Sequence, residues 1–174
     1  PAVTLLMCVC SMVVVSCALV RGDRYSVRRD AHATTPGITT IRIVNGAGHL
    51  DVVGRPGSST VNATAMVHGS SRKAVDAVRL VVERHGNVLE VRAERPELSW
   101  FDRIDASVDL TVEIPRDIAI DILDGSGPAR IDSVGAIRIR SGSGEVHVSD
   151  ATGSVDLVSG SGDSELRNVN GDVA

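Results

Sequence analysis

A Gly-Ser-Gly triplet recurs in the last third of the chain, as Gly125-Ser126-Gly127, Gly142-Ser143-Gly144 and Gly160-Ser161-Gly162, and it restricts the fold more than any other feature. The first glycines stand at positions 125, 142 and 160, a spacing of 17 and then 18 residues. A fixed short period of this kind marks one supersecondary unit stacked on copies of itself. Aligned on their glycines, the units bring Ile131, Val148 and Leu166 to one position and Val134, Ala151 and Val169 to the next. Ile137, Val155 and Val173 share a third position, and Ile139 and Leu157 a fourth. Each unit therefore reads as two short strands with inward aliphatic side chains. The triplet makes one corner, and Gly135, Gly153 or Gly171 turns the chain at the other. About four aliphatic side chains cannot offset the ordering of a whole unit, so a unit folds only against its neighbours.

The outward positions fit the same stacking. Arg130, His147 and Glu165 align in successive units, as do Arg138 and Asp156. At the ~4.8 Å spacing of adjacent strands, opposite charges become neighbours.

Upstream of the repeats the alternation is also that of strands. Ile41 and Ile43 share a face before Asn45-Gly46-Ala47-Gly48, a turn that resembles a degenerate early copy of the triplet, and Leu50 and Val52 resume the pattern. Val61, Ala63, Ala65 and Val67 give a further strand. A short helical turn is expected near Ser71 to Val75, followed by a hairpin in which Val78, Leu80 and Val82 face Leu89, Val91 and Ala93 across His85-Gly86-Asn87. Val108, Leu110, Val112 and Ile114 form the last strand before the repeats. The predicted fold is all-β: a β-solenoid or β-helix-like stack of short strands with Gly-Ser-Gly corners, preceded by more irregular strands and a hairpin.

Ile41 to Asp51, the hairpin around Gly86, the segment Val108 to Pro115 and the Gly-Ser-Gly units together resemble the bacterial putative-adhesin domain family of largely unknown function, itself similar to the head domains of autotransporter-like adhesins. The resemblance covers roughly Ile38 to Ala174. It implies a β-solenoid in an exported or membrane-anchored envelope protein, often a lipoprotein, and it brings no catalytic residues with it.

The N-terminal stretch agrees with such a location. Residues 1–20 carry no charge and are dominated by Val, Leu, Met and Ala. Two readings stand: a transmembrane anchor, or a secretory leader whose charged start is missing from a sequence that begins with Pro. Val14-Val15-Ser16-Cys17 looks like the end of a lipoprotein leader, which makes Cys17 the candidate lipidation site, the alternative being a small apolar residue in a membrane helix. Residues 21–37 hold Arg21, Arg24, Arg28 and Arg29 without a hydrophobic period and read as a polar tether. Its arginines suit anionic lipid headgroups, or equally a cytoplasmic flank. The domain is then 38–174. Because Ala174 aligns with Asp156 and Arg138 inside a strand, it is expected to be C-terminally incomplete, with an open solenoid end able to self-associate.

Composition narrows the chemistry. Hydrophobic residues make up 43% of the 174 and aromatics 2%, so the core is filled by branched aliphatics rather than rings. The net charge of −4 is spread over interspersed acids and bases, which excludes a cationic face for nucleic acid. Cys8, Cys10 and Cys17 all fall in the first apolar segment, leaving the body without disulfide or thiolate chemistry. Asp132, Asp150 and Asp163 lie near the corners but share no alignment position, so the repeat sets up no carboxylate pair for acid-base work. Asp124 and Asp163 flank triplets where calcium would need a recurring acid, and the five histidines show no zinc spacing. No catalytic residue, metal or cofactor is expected. Ser126, Ser143 and Ser161 are small hydroxyls suited to a corner, and Trp100 with Phe101 is a candidate contact spot or a plug for the aliphatic core.

The sequence thus points to a non-enzymatic envelope protein, membrane-anchored and facing the periplasm or exterior. Its rigid β surface would serve adhesion to an unidentified protein or glycan. The other readings are an envelope-stress sensing module of a membrane-anchored regulator and, behind it, a carbohydrate-active β-helix enzyme.

Overall fold

The computed structural model describes residues 25–94 and 106–174. The strands are β1 (Tyr25–Thr34), β2 (Thr40–Ala47), β3 (Leu50–Arg55), β4 (Thr60–Gly69), β5 (Arg79–His85), β6 (Val88–Glu94) and β7 (Ala106–Pro115). Six more follow: β8 (Ala119–Ser126), β9 (Ala129–Asp132), β10 (Ile137–Ser143), β11 (Val146–Ser149), β12 (Val155–Ser161) and β13 (Ser164–Arg167). One short helix, α1 (Arg72–Ala77), precedes β5, and the side chain of Ser71 caps it by accepting from the Ala74 amide at 3.1 Å.

The fold is all-β, with two mixed sheets. One has seven strands in the order β1-β4-β7-β3-β9-β11-β13, the other six in the order β12-β10-β8-β2-β6-β5. The pairs β1/β4, β4/β7 and β5/β6 are antiparallel and the rest parallel. Each aligned unit contributes one strand to each sheet, as β8 then β9, β10 then β11, and β12 then β13. The chain order is not the spatial order: β2 and β3 lie between the pair β6/β7 and the pair β8/β9.

The core lies between the sheets and follows from period-two alternation. Ile41, Ile120, Ile137 and Val155 form one inner row, and Ile43, Ile122, Ile139 and Leu157 the next. The facing sheet answers with Leu50, Ala129 and Val146, then Val52, Ile131 and Val148. All of these are buried except Leu157, which is partly covered. Aliphatic rows of this kind need no aromatic ring to fill the space between two closely packed sheets.

Two expectations need correction. Residues 25–34, read as part of a polar tether, form β1 and pair along their length with β4. Val27 and Ala31 are buried on its inner side; the pattern is obscured because Arg29 also stands there, paired with buried Ala65. Its guanidinium donates from Nη2 to the carbonyls of Val75 and Asp76 at 3.2 and 3.4 Å, at the C-terminal end of α1. The second correction concerns the corner assigned to Gly135, Gly153 and Gly171. The left-handed residues there are Ser133, Asp150 and Asn168, with φ of 57°, 54° and 52°. The glycines bend the chain without adopting that conformation, and they also allow close approach: a Cβ on Gly153 would stand 2.6 Å from the amide nitrogen of Ala136 in the neighbouring unit.

Candidate functional site

The triplets stack on one another along one edge of the six-stranded sheet. Ala47, Ser126, Ser143 and Ser161 pair in sequence across β2, β8, β10 and β12, so the degenerate copy Gly46-Ala47-Gly48 lies directly beside the first true one. Amide-to-carbonyl bonds tie the row together: Gly48 N to Ser126 O, Gly127 N to Ser143 O and Gly144 N to Ser161 O, each 3.1 Å. Glycine is required because the backbones touch. A Cβ on Gly142 would meet the carbonyl oxygen of Gly125 at 2.5 Å, and one on Gly144 would overlap that of Gly127. The second glycine of each triplet also turns the chain at positive φ, 119°, 135° and 115° for Gly127, Gly144 and Gly162.

On the outer face of the same sheet, Glu90, Arg42, Asp121, Arg138 and Asp156 form a row that alternates in charge throughout. Arg42 bridges Asp121 at 3.2 Å and Arg138 bridges Asp156 at 2.8 Å. Arg92 sits among Glu83, Glu90 and Glu94, and hydrogen bonds to Glu94 and Glu90 raise its pKa further above the ordinary guanidinium value. Beside the charged row runs a shallow trough of about 280 Å³, floored by Thr40, Ala119, Ala136 and Ser154 and walled by Asp121, Arg138 and Asp156. Arg138 and Asp156 pair with each other there, and Asp121 pairs with Arg42 beyond the trough, so each of its charges already has a partner.

The seven-stranded sheet carries the row Arg130, His147 and Glu165. His147 Nδ1 lies 3.1 Å from Glu165 and Nε2 lies 3.5 Å from Glu145. The Glu165 carboxyl is held below its usual pKa by Arg167 first and then by His147. Asp132 accepts from Ser149 Oγ at 2.6 Å and Ser133 Oγ at 3.0 Å, and Asp150 accepts from Asn168 Nδ2 at 3.0 Å. These carboxylates fasten one unit to the next. Among the described residues, no group of three or more His, Cys, Asp or Glu is placed to hold a metal ion.

A fourth row is internal. Asn45, Asp124, Ser141 and Ser159 occupy the position before each first glycine and pair in sequence across the sheet. Asn45, Asp124 and Ser141 are 2%, 5% and 6% exposed. Asn45 Nδ2 donates to Asp124 Oδ1 at 3.0 Å. Asn45 Oδ1, Asp124 Oδ2, Ser141 Oγ and Ser159 Oγ are buried without a hydrogen-bond partner. Burial pushes the Asp124 carboxyl up from its ordinary pKa, with Asn45 and then Ser141 acting the other way. The sequence carried the signal, since Asp124 continues the alternation of Ile120 and Ile122, but its place beside a triplet drew attention to the corner rather than the interior.

Cys17, Trp100 and Phe101 lie outside the described residues. Among those described, no helix is long and apolar enough to cross a membrane.

No family model matches the chain, and no curated protein does. Among solved structures it is similar to a "putative cell adhesion protein" from Clostridium sporogenes ATCC 15579, at 8% identity and a TM-score of 0.39, over 84% of this chain and 97% of that one. A "putative adhesin" from Parabacteroides merdae ATCC 43184 gives 9% identity and a TM-score of 0.32, over 74% of this chain and 60% of that one. A "putative lipid binding protein" from Parabacteroides distasonis ATCC 8503 gives 10% identity and a TM-score of 0.29, over 80% of this chain and 59% of that one. The chain thus spans about three fifths of the length of the latter two.

Proposed function

We propose that this chain is a non-enzymatic cell-envelope module whose stacked units form a rigid β-solenoid surface for adhesion or protein contact, anchored through its N-terminal segment or a lipid on Cys17. The observation that carries the reading is the one-to-one parallel register of successive units, in which Ile137 pairs with both Ile120 and Val155 and Arg138 with both Asp121 and Asp156. A register locked in this way repeats the same side-chain positions across both outer faces, giving a flat, stiff, polar surface of the kind that repeat proteins use for extended contacts. The corner carboxylates Asp132 and Asp150 are engaged as hydrogen-bond acceptors between units, which suits a scaffold. The free edge is that of β13, since residues 172–174 already pair with the start of β12, and it is the place for self-association, should copies meet.

The test uses cells that express the full chain. The module should be accessible to protease on the envelope, cells lacking it should lose attachment, and Cys17→Ala should abolish incorporation of labelled palmitate. Equal labelling of both proteins would remove the lipid anchor. Release of sugar from envelope polysaccharide, lost in Asp132→Asn or Asp150→Asn, would replace the adhesive reading with an enzymatic one.

A further inference from the structure

The internal polar row is not needed for a contact surface, and an aliphatic residue at each of its positions would continue the core. We propose that the row Asn45, Asp124, Ser141 and Ser159 holds a buried proton-binding site, in which the Asp124 carboxyl takes up a proton beneath the triplet corners.

Burial and hydrogen bonding together lead to this assignment. An ionised carboxylate only accepts, and here one oxygen, Oδ1, receives the Asn45 amide while Oδ2 has no hydrogen-bond partner. The next group in the row, Ser141 Oγ, is likewise unpartnered. The Ser141 hydroxyl can donate or accept and so serves either form of the carboxyl; what favours the protonated form is the burial of Asp124, 5% exposed, without a counter-charge. A metal ion is the poorer occupant. Donors stacked at ~4.8 Å intervals along one line flank an ion on two sides, whereas a hard cation takes six or more oxygens around a shell.

Among the described residues, the strands packed around Asp124 turn no charged side chain toward it. From β2 the inner residues are Ile41, Ile43 and Asn45, and from β10 they are Ile137, Ile139 and Ser141. The opposite sheet presents Leu50 and Val52 from β3, Ala129 and Ile131 from β9, and Val146 and Val148 from β11. The ionisable groups of those strands, Arg42, Asp51, Arg55, Arg130, Asp132, Arg138, Arg140 and His147, alternate with these and belong to the outer faces, as does Asp121 of β8. With burial as the dominant influence, the carboxyl titrates above the unfolded value of about 3.9.

The sign of the pH effect follows. Between the unfolded and the folded pKa, the folded chain binds more protons than the unfolded one. Stability therefore falls as pH rises through that window and is level above it. Asp124→Asn keeps the shape and the Asn45 contact but cannot ionise. In denaturant unfolding of the full chain between about pH 3 and pH 8, the midpoint of Asp124→Asn relative to the native protein should climb from about pH 4 upward and then level off. A difference that is constant or falls with pH would overturn the proposal. A second readout needs no variant: the Asp124 carboxyl carbon, followed by NMR in the native protein, should titrate with a midpoint above about 4, and a midpoint at or below it would overturn the proposal equally.

Discussion

Gly144 is fixed by two independent constraints, a φ of 135° and a neighbouring backbone that occupies the space of a Cβ. Gly144→Ala should therefore cost at least ~3 kcal/mol, because backbone strain and the displacement of Gly127 add, whereas Ser143→Ala at the exposed tip of the same triplet should stay within ~0.5 kcal/mol. Urea denaturation of the two variants measures the contrast, and equal losses would mean that the units do not touch there. The recurrence of glycine was legible in the sequence, but its cause was only half legible. Tight turning could be inferred from Gly127, Gly144 and Gly162, while contact with the preceding unit depends on which backbone lies alongside. At the opposite corner the chain does bend at Gly135, Gly153 and Gly171, but its left-handed residues are Ser133, Asp150 and Asn168. Asp and Asn adopt the left-handed conformation more readily than most side chains, which is the signal that was available.

At the level of strands, β8, β10 and β12 were readable because β10 alternates cleanly, β8 and β12 alternate up to Ile122 and Leu157, and their mutual alignment states the register. The aligned pair Arg138 and Asp156 does meet, at 2.8 Å. Reversal by Arg138→Asp places like charges against both Asp121 and Asp156 and should lower stability by about 1 kcal/mol, with Asp156→Arg restoring part of the loss and high salt shrinking both effects. Thermal unfolding of the four proteins in this cycle reads the coupling, and strictly additive changes would remove the pairing from the account. β1 was not readable. Its inner side runs Val27, Arg29, Ala31 and Ala33, and a guanidinium in that series conceals the apolar face. Only the carbonyls at the end of α1, distant in sequence, explain why an arginine is stable there.

For the whole molecule, the sequence conveyed the stacking of the repeats but not the order of the stack. The insertion of β2 and β3 between the β6/β7 pair and the repeats is a non-local pairing that no periodicity announces. At the end away from the repeats, β1, β5 and α1 gather around the core, with Val75 and Val78 fully buried; at the other end β12 and β13 are the outermost strands of their sheets. The account as a whole depends on one geometric claim, that successive units lie in parallel, position upon position. Cross-strand nuclear Overhauser contacts in the full chain measure this without substitution. Ile139 should show backbone contacts of the parallel type to both Ile122 and Leu157, and Ser143 to both Ser126 and Ser161. Contacts of the antiparallel type, or contacts shifted by one or more residues along β8 or β12, would contradict it.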